Sequence, residues 1–191
     1  IRSILLTPET SGWGEAVIRL KGSEKLCLSF DDLDPSQREL QYRVIHCDKD
    51  WDLSSLDPQE YLGGFRQGNF SDIVSSFNTK VNFRSYRIYF PNEQCIPLIS
   101  GNYCVEVFPA FAPEMVLFRR RFSICEDLTT PMVKMRRGGS CKGSGSQQLD
   151  IKVPTHGINL LSPQRELFVR ITQNSQYFDD SGKPTLIYAM P

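Results

Sequence analysis

Six consecutive residues, His46-Cys47-Asp48-Lys49-Asp50-Trp51, gather the side chains most able to do chemistry in this 191-residue chain. A histidine beside a cysteine offers a base and a thiol nucleophile, and aspartates at 48, 50 and 52 follow the i, i+2, i+4 opening of a calcium loop. Each reading meets a geometric obstacle. Successive side chains of a strand point to opposite faces, so His46 and Cys47 cannot share a proton. His46 continues the apolar face of Leu40, Tyr42 and Val44, which predicts a hydrogen-bonded core histidine. The calcium loop needs glycine at its sixth position and a bidentate glutamate at its twelfth, where this chain has Leu53 and Gln59. An EF-hand is excluded. The aspartates are expected to end the strand, accept backbone hydrogen bonds in a turn and expose the Trp51 corner, with a looser calcium site as the alternative.

Little else supplies a reaction. The only other histidine, His156, lies in a Pro-Thr-His-Gly turn, and no Walker loop, Gly-x-Gly-x-x-Gly turn, Gly-x-Ser-x-Gly elbow or His-Glu-x-x-His motif is present. Cys27, Cys47, Cys95, Cys104, Cys125 and Cys141 include no C-x-x-C pair, which argues against zinc; most are expected to be free, small apolar side chains. No enzyme activity, metal or cofactor is expected. Trp13, Trp51, Tyr61 and Phe65 could form an aromatic platform for a sugar or a protein, although in sandwiches such residues more often fill the core or a corner. Arg120 should share a face with Phe118 and Phe122, so it must meet a carboxylate, with Asp48 and Glu106 as candidates, or lie at an edge. Asn69-Phe70-Ser71 is a glycosylation sequon, relevant only to a eukaryotic secretory route.

The elements that position these residues are strands. Period-two alternation dominates: Leu26, Leu28 and Phe30 alternate with Cys27 and Ser29, and Leu40 through His46 do the same. Further strands are predicted at Ile4 to Thr7, Ala16 to Leu20, Tyr86 to Phe90, Tyr103 to Phe108 and Val116 to Ile124. The fold class is all-β, an immunoglobulin- or fibronectin-like antiparallel sandwich over residues 1–127. From Asp52 to Asn78 the alternation lapses around Gly63-Gly64, as in an insertion-like crossover of the kind that carries function. Residues 131–191 read as the start of a second β domain or a packed extra sheet. Its strands are expected at Met132 to Met135, around Leu149 to Val153 and around Leu167 to Ile171, with a mobile Gly/Ser/basic loop from Arg136 to Ser146.

Lysine plus arginine number 22 and aspartate plus glutamate number 22, so no net field draws in nucleic acid or an anionic membrane. No apolar run approaches the roughly 18 residues of a membrane span. Ile1 opens without a basic and apolar leader, and the chain reads as a processed or trimmed piece, so the lack of a leader here says little about compartment.

The ordered motifs carry a resemblance. They are Leu28-Ser29-Phe30-Asp31-Asp32-Leu33, Tyr42-Arg43-Val44-Ile45-His46-Cys47-Asp48, Asp50-Trp51, Glu60-Tyr61-Leu62 with Gly64-Phe65, Ser76-Phe77-Asn78-Thr79, Phe90-Pro91-Asn92, Ser100-Gly101-Asn102-Tyr103 and Arg120-Arg121-Phe122. Gln147 and Gln173-Asn174 extend the series. The chain resembles the N-terminal region of the type IX secretion system plug protein family. The resemblance implies a non-enzymatic periplasmic protein of Gram-negative bacteria that caps the periplasmic mouth of a large outer-membrane β-barrel translocon. Members run well beyond this length, which makes the chain a first domain and the opening of the next. Contact with the barrel is expected from the crossover or by edge-strand pairing, and the candidate partner-binding residues are Trp51, Tyr61, Phe65, Asn78, Asn92 and Asn102. The rival reading is a carbohydrate-binding sandwich with Trp13 or Trp51 as the sugar platform. A hydrolase using Cys47 ranks third.

Overall fold

The computed structural model describes residues 1–36, 38–137, 147–169, 171–173 and 176–177. The chain divides into two units, Ile1–Glu126 and Asp127–Pro191.

Unit 1 is built from β1 (Arg2–Pro8), β2 (Val17–Arg19), β3 (Leu26–Asp32), β4 (Leu40–Cys47), a single helical turn α1 (Pro58–Tyr61), β5 (Leu62–Gly64), β6 (Gln67–Asn69), β7 (Asp72–Ser75), β8 (Arg84–Phe90), β9 (Cys95–Pro97), β10 (Gly101–Pro109) and β11 (Phe118–Cys125). Two sheets result, ordered β1-β3-β8-β7 and β2-β11-β10-β4-β6, with a small β5-β9 pair beside them. Pairing is antiparallel except between β2 and β11, which run parallel.

Alternation in the sequence becomes alternation in burial. Leu26, Leu28 and Phe30 on β3 and Leu40, Tyr42 and Val44 on β4 point into one shared core, with Tyr86, Ile88 and Phe90 from β8 and Tyr103, Val105 and Val107 from β10. Aromatic rings lock the two sheets together. Phe30 meets Phe118 edge-on at 4.9 Å between centroids, and Tyr42 meets Phe90 at 5.2 Å. Phe70, on the short link between β6 and β7, contacts Phe30, Tyr42 and Tyr86 at 5.3 to 5.5 Å. Such pairs add roughly 0.5–1.5 kcal/mol each beyond the area they bury.

The stretch from Asp52 to Asn78 is more ordered than its sequence suggests. It supplies α1, β5, β6 and β7. Strand β6 adds to β4 through Gln41↔Asn69 and Arg43↔Gln67, whereas β7 adds to β8 through Asp72↔Arg87 and Ser75↔Arg84. One crossover therefore contributes the edge strand of each sheet. Gly68 is needed there, because a Cβ would come within 2.6 Å of the Tyr42 hydroxyl.

Unit 2 contains the antiparallel hairpin of β12 (Met132–Arg137) and β13 (Gln147–Lys152), a helical turn α2 (Pro163–Glu166), and the two-residue strands β14 (Thr172–Gln173) and β15 (Gln176–Tyr177). Arg136 pairs with Asp150 across the hairpin at 3.0 Å. The strand expected from Leu167 to Ile171 is not formed at 167–169 or 171, because Pro163 opens a turn that Ser162 initiates and Leu167 closes. Residues 138–146 of the Gly/Ser/basic loop, Cys141 and Asn174 lie outside the described residues.

Candidate functional site

The chemistry-bearing hexapeptide ends β4 in a tight turn. Asp48 Oδ1 accepts the backbone N–H of Asp50 and of Asp52, both at 2.9 Å, and the Trp51 N–H reaches the Asp48 carbonyl at 3.1 Å. Trp51 adopts φ +71° to make the corner, and the Arg121 guanidinium lies 5.1 Å from its ring centroid, a cation–π contact. Of the three aspartates, Asp48 thus serves the turn, while the Asp50 carboxylate pairs with Lys49. Asn102 on β10 fastens it to the sheet: its Nδ2 donates to the Asp48 carbonyl and its Oδ1 accepts from Ser123 Oγ, each at 3.0 Å.

His46 and Cys47 point to opposite faces. The His46 ring faces the core side, edge-on to Tyr103 at 5.0 Å and 5.6 Å from Tyr61. Burial pulls its pKa below the usual imidazole value, and a backbone hydrogen bond with Ser100 opposes that shift in part. Nδ1 has no protein partner. Gly101 packs against the other nitrogen, since a Cβ there would lie 2.5 Å from Nε2, and its φ of +148° itself favours glycine. The Ser-Gly-Asn-Tyr motif is thereby explained as the seat of the His46 ring. Cys47 is buried on the outer face of the same sheet, and burial pushes its thiol up to about 12, far from the range of a nucleophile at neutral pH.

The outer face of this sheet also holds a buried carboxylate. Glu106, 1% exposed, accepts from Arg43 Nε at 2.6 Å and from Arg119 Nε at 2.7 Å. The strand register brings all three side by side, with Glu106 opposite Arg43 on one neighbour and Arg119 on the other. Arg120 points to the other face and, on a strand that lies between β2 and β10, meets backbone carbonyls in place of a carboxylate, with Nη2 3.4 Å from the Ile4 oxygen and Nη1 3.4 Å from that of Arg119. Neither Asp48 nor Glu106 is its partner. Asp32 is the second buried carboxylate and binds Arg38 through both oxygens at 2.9 and 3.0 Å.

The six residues expected at a partner surface separate into two groups. Tyr61 is 2% exposed and belongs to the core. Asn92 is consumed by the turn that follows the cis Phe90-Pro91 bond: it donates to the Tyr89 carbonyl at 3.0 Å and the Tyr42 hydroxyl at 3.2 Å, and accepts from the N–H groups of Gln94 and Cys95. Asn102 clips the Asp48 turn as described. These three hold the scaffold from beneath. Trp51 is half-buried at its corner, Phe65 is 69% exposed, and Asn78, at φ +54°, sits in the exposed β7–β8 hairpin beside Phe77, which is 93% exposed. That hairpin is pinned by Ser76, whose Oγ accepts from the Phe83 N–H at 2.9 Å, and by Thr79, which donates to the Val81 carbonyl at 2.8 Å.

Further exposed apolar residues were not singled out by sequence. Ile96 on β9 and Leu98 just after it are exposed next to Gly63, whose missing side chain leaves them bare; a Cβ at Gly63 would touch Leu98 Cδ2 at 3.4 Å and Ile96 Cβ at 3.8 Å. On β7, Ile73 and Val74 are exposed along an edge strand. A signal did exist in the Cys-Ile-Pro-Leu and Asp-Ile-Val-Ser runs, but each is too short for a period to show. Among the described residues no group of three or more His, Cys, Asp or Glu is placed to hold a metal ion, and no helix is long and apolar enough to cross a membrane.

A crystal structure of a hypothetical protein from Parabacteroides merdae ATCC 43184 is similar to this chain, with TM-score 0.79 and 26% sequence identity. The match covers 87% of this chain and 42% of that one, so the chain spans less than half the length of its solved relative. No curated protein matches. A family model described as the type 9 secretion system plug protein 1st domain matches residues 1–126, all of unit 1, and by that match the chain belongs to this plug protein family.

Proposed function

We propose that this chain is a non-enzymatic periplasmic binding domain that caps the periplasmic mouth of a large outer-membrane β-barrel translocon. Family membership supports a role in type IX secretion. The observation that favours a contact role is the placement of Phe65 and Phe77, both strongly exposed, on a crossover whose strands are hydrogen-bonded into both sheets. Apolar side chains on a rigid support lose little conformational entropy when a partner covers them. Trp51, and Asn78 beside Phe77, are further proposed contact residues at separate places on this scaffold, and Tyr61, Asn92 and Asn102 are held inside the fold. Unit 2 is the opening of a second β domain in this reading.

The test is a pull-down from outer-membrane extract with the chain as bait. Recovery of a large barrel is expected, and replacing Phe65 and Phe77 together by Ala should reduce it by about tenfold or more, the scale of one or two interface anchors. Both side chains are exposed, so thermal unfolding of the variant should match the parent. Undiminished recovery would discard this surface. Tryptophan quenching by glycans with no barrel recovered would replace the reading with carbohydrate binding.

A further inference from the structure

We propose that Cys47 and Cys104 are an oxidisable pair, a site at which a disulfide ties β4 to β10 beneath the Trp51 turn. Their Sγ atoms are 3.4 Å apart, and both side chains are buried. The register explains the approach. Cys47 lies opposite Asn102 and Cys104 opposite Ile45, so the two cysteines are diagonal neighbours on one face of adjacent strands. A disulfide needs a sulfur separation of about 2.05 Å, so the sulfurs must close by about 1.4 Å; diagonal neighbours are spaced by roughly 7–8 Å, so closure takes a local shift of the strand backbone together with side-chain rotation. Cys27, Cys95 and Cys125 are also free thiols, on β3, β9 and β11.

The reaction is thiol–disulfide exchange with an external disulfide, either a small-molecule disulfide or the disulfide of a protein oxidant. One cysteine thiolate attacks that disulfide, forms a mixed disulfide and releases one thiol. The second thiolate then attacks the cysteine sulfur of the mixed disulfide and releases the other thiol. Two protein thiols and one external disulfide thus become one protein disulfide and two external thiols. Arg119 and Arg121 favour the Cys47 thiolate, but burial outweighs them. Bond formation therefore belongs to the folding chain, before the sheet closes over the sulfurs. Once made, the bond is sheltered by the same burial. It would span 57 positions, including the whole crossover and the β5–β9 pair.

The wild-type chain carries the test. Refolding in oxidised glutathione should give a protein lighter by two hydrogens, with Cys47 and Cys104 joined in peptide mapping, and a Tm higher by roughly 5 to 15 °C than the protein refolded in reductant. Cys104→Ala should remove both the cross-link and the redox dependence of Tm, while Cys27→Ala should preserve them. Recovery of Cys47 and Cys104 as alkylated free thiols from natively folded, oxidised protein would overturn the proposal. So would a bond found only between other cysteines, or a bridged form with a lower Tm than the reduced one.

Discussion

Replacing Gly101 by Ala should be among the most damaging single-methyl changes in unit 1, and its cost has two separable parts. At φ +148° a residue with a Cβ is strained, at about 1–3 kcal/mol for a sparsely populated backbone region. The new methyl would also lie 2.5 Å from His46 Nε2, closer than real methyl contacts come, and a tight 3.3 Å from Cδ2. The imidazole has little room to retreat, because Tyr103 and Tyr61 pack against it. Overpacking of this kind adds about 1–3 kcal/mol. The sum, about 2–6 kcal/mol, is a large part of the stability of an ordinary domain. Urea unfolding followed by tryptophan fluorescence suits the measurement, since both tryptophans, Trp13 and Trp51, lie in unit 1. Adding His46→Ala should relieve the collision and leave the backbone strain, so the double variant should be more stable than the sum of single losses by about 1–3 kcal/mol. A Gly101→Ala loss within about 0.5 kcal/mol, the range of an inert surface change, would refute the packing account. Strict additivity in the cycle would refute the collision.

Three further outcomes follow from the same geometry. The pKa of His46 lies below its usual 6.5 in the folded state because of burial, so the unfolded chain takes up the proton first. Its contribution is fully present above about 6.5 and declines as pH falls from there toward the folded-state value; the urea midpoint should drop over that window, and His46→Gln should flatten the drop. Glu106→Gln should cost about 1–3 kcal/mol in denaturant unfolding, since it weakens two charge-assisted bonds whose arginines keep partial access to water; no loss would mean that the two arginines are self-sufficient. Tyr61→Ala should cost about 3 kcal/mol or more by emptying a buried site, whereas Phe65→Ala should stay within about 0.5 kcal/mol in the same experiment.

The long strands were legible because each buries one face over seven or more residues, long enough for a period of two to repeat. Strands β5, β6, β7 and β9 were not, for a physical reason. They are three or four residues long, β5 and β6 contain glycine, and β7 is exposed on both faces, so burial imposes no alternation on it. The core-facing side of His46 followed from strand parity, whereas the backbone carbonyls that Arg120 meets did not. Parity could not say that Glu106 faces outward to Arg43 and Arg119, because that depends on register between strands. Asn92 and Asn102 stood out as motif positions, yet part of what they do lies in bonds to Tyr42 and Asp48, 50 and 54 positions away. Sequence spacing carries no sign of such bonds.

The crossover places Asn69 at the end of one sheet's edge strand and Asp72 at the start of the other's, with Phe70 buried between them. A load applied at the exposed Phe65 or Phe77 would therefore pass into two hydrogen-bond ladders that run in different layers. Pulling β7 sideways from β8 also draws on the Phe70 ring wedged against Phe30 and Tyr86, so peeling one edge works against the core. Mechanical resistance here is a property of the junction, and shortening the Phe70 side chain to Ala would uncouple the two edges without breaking a single backbone bond.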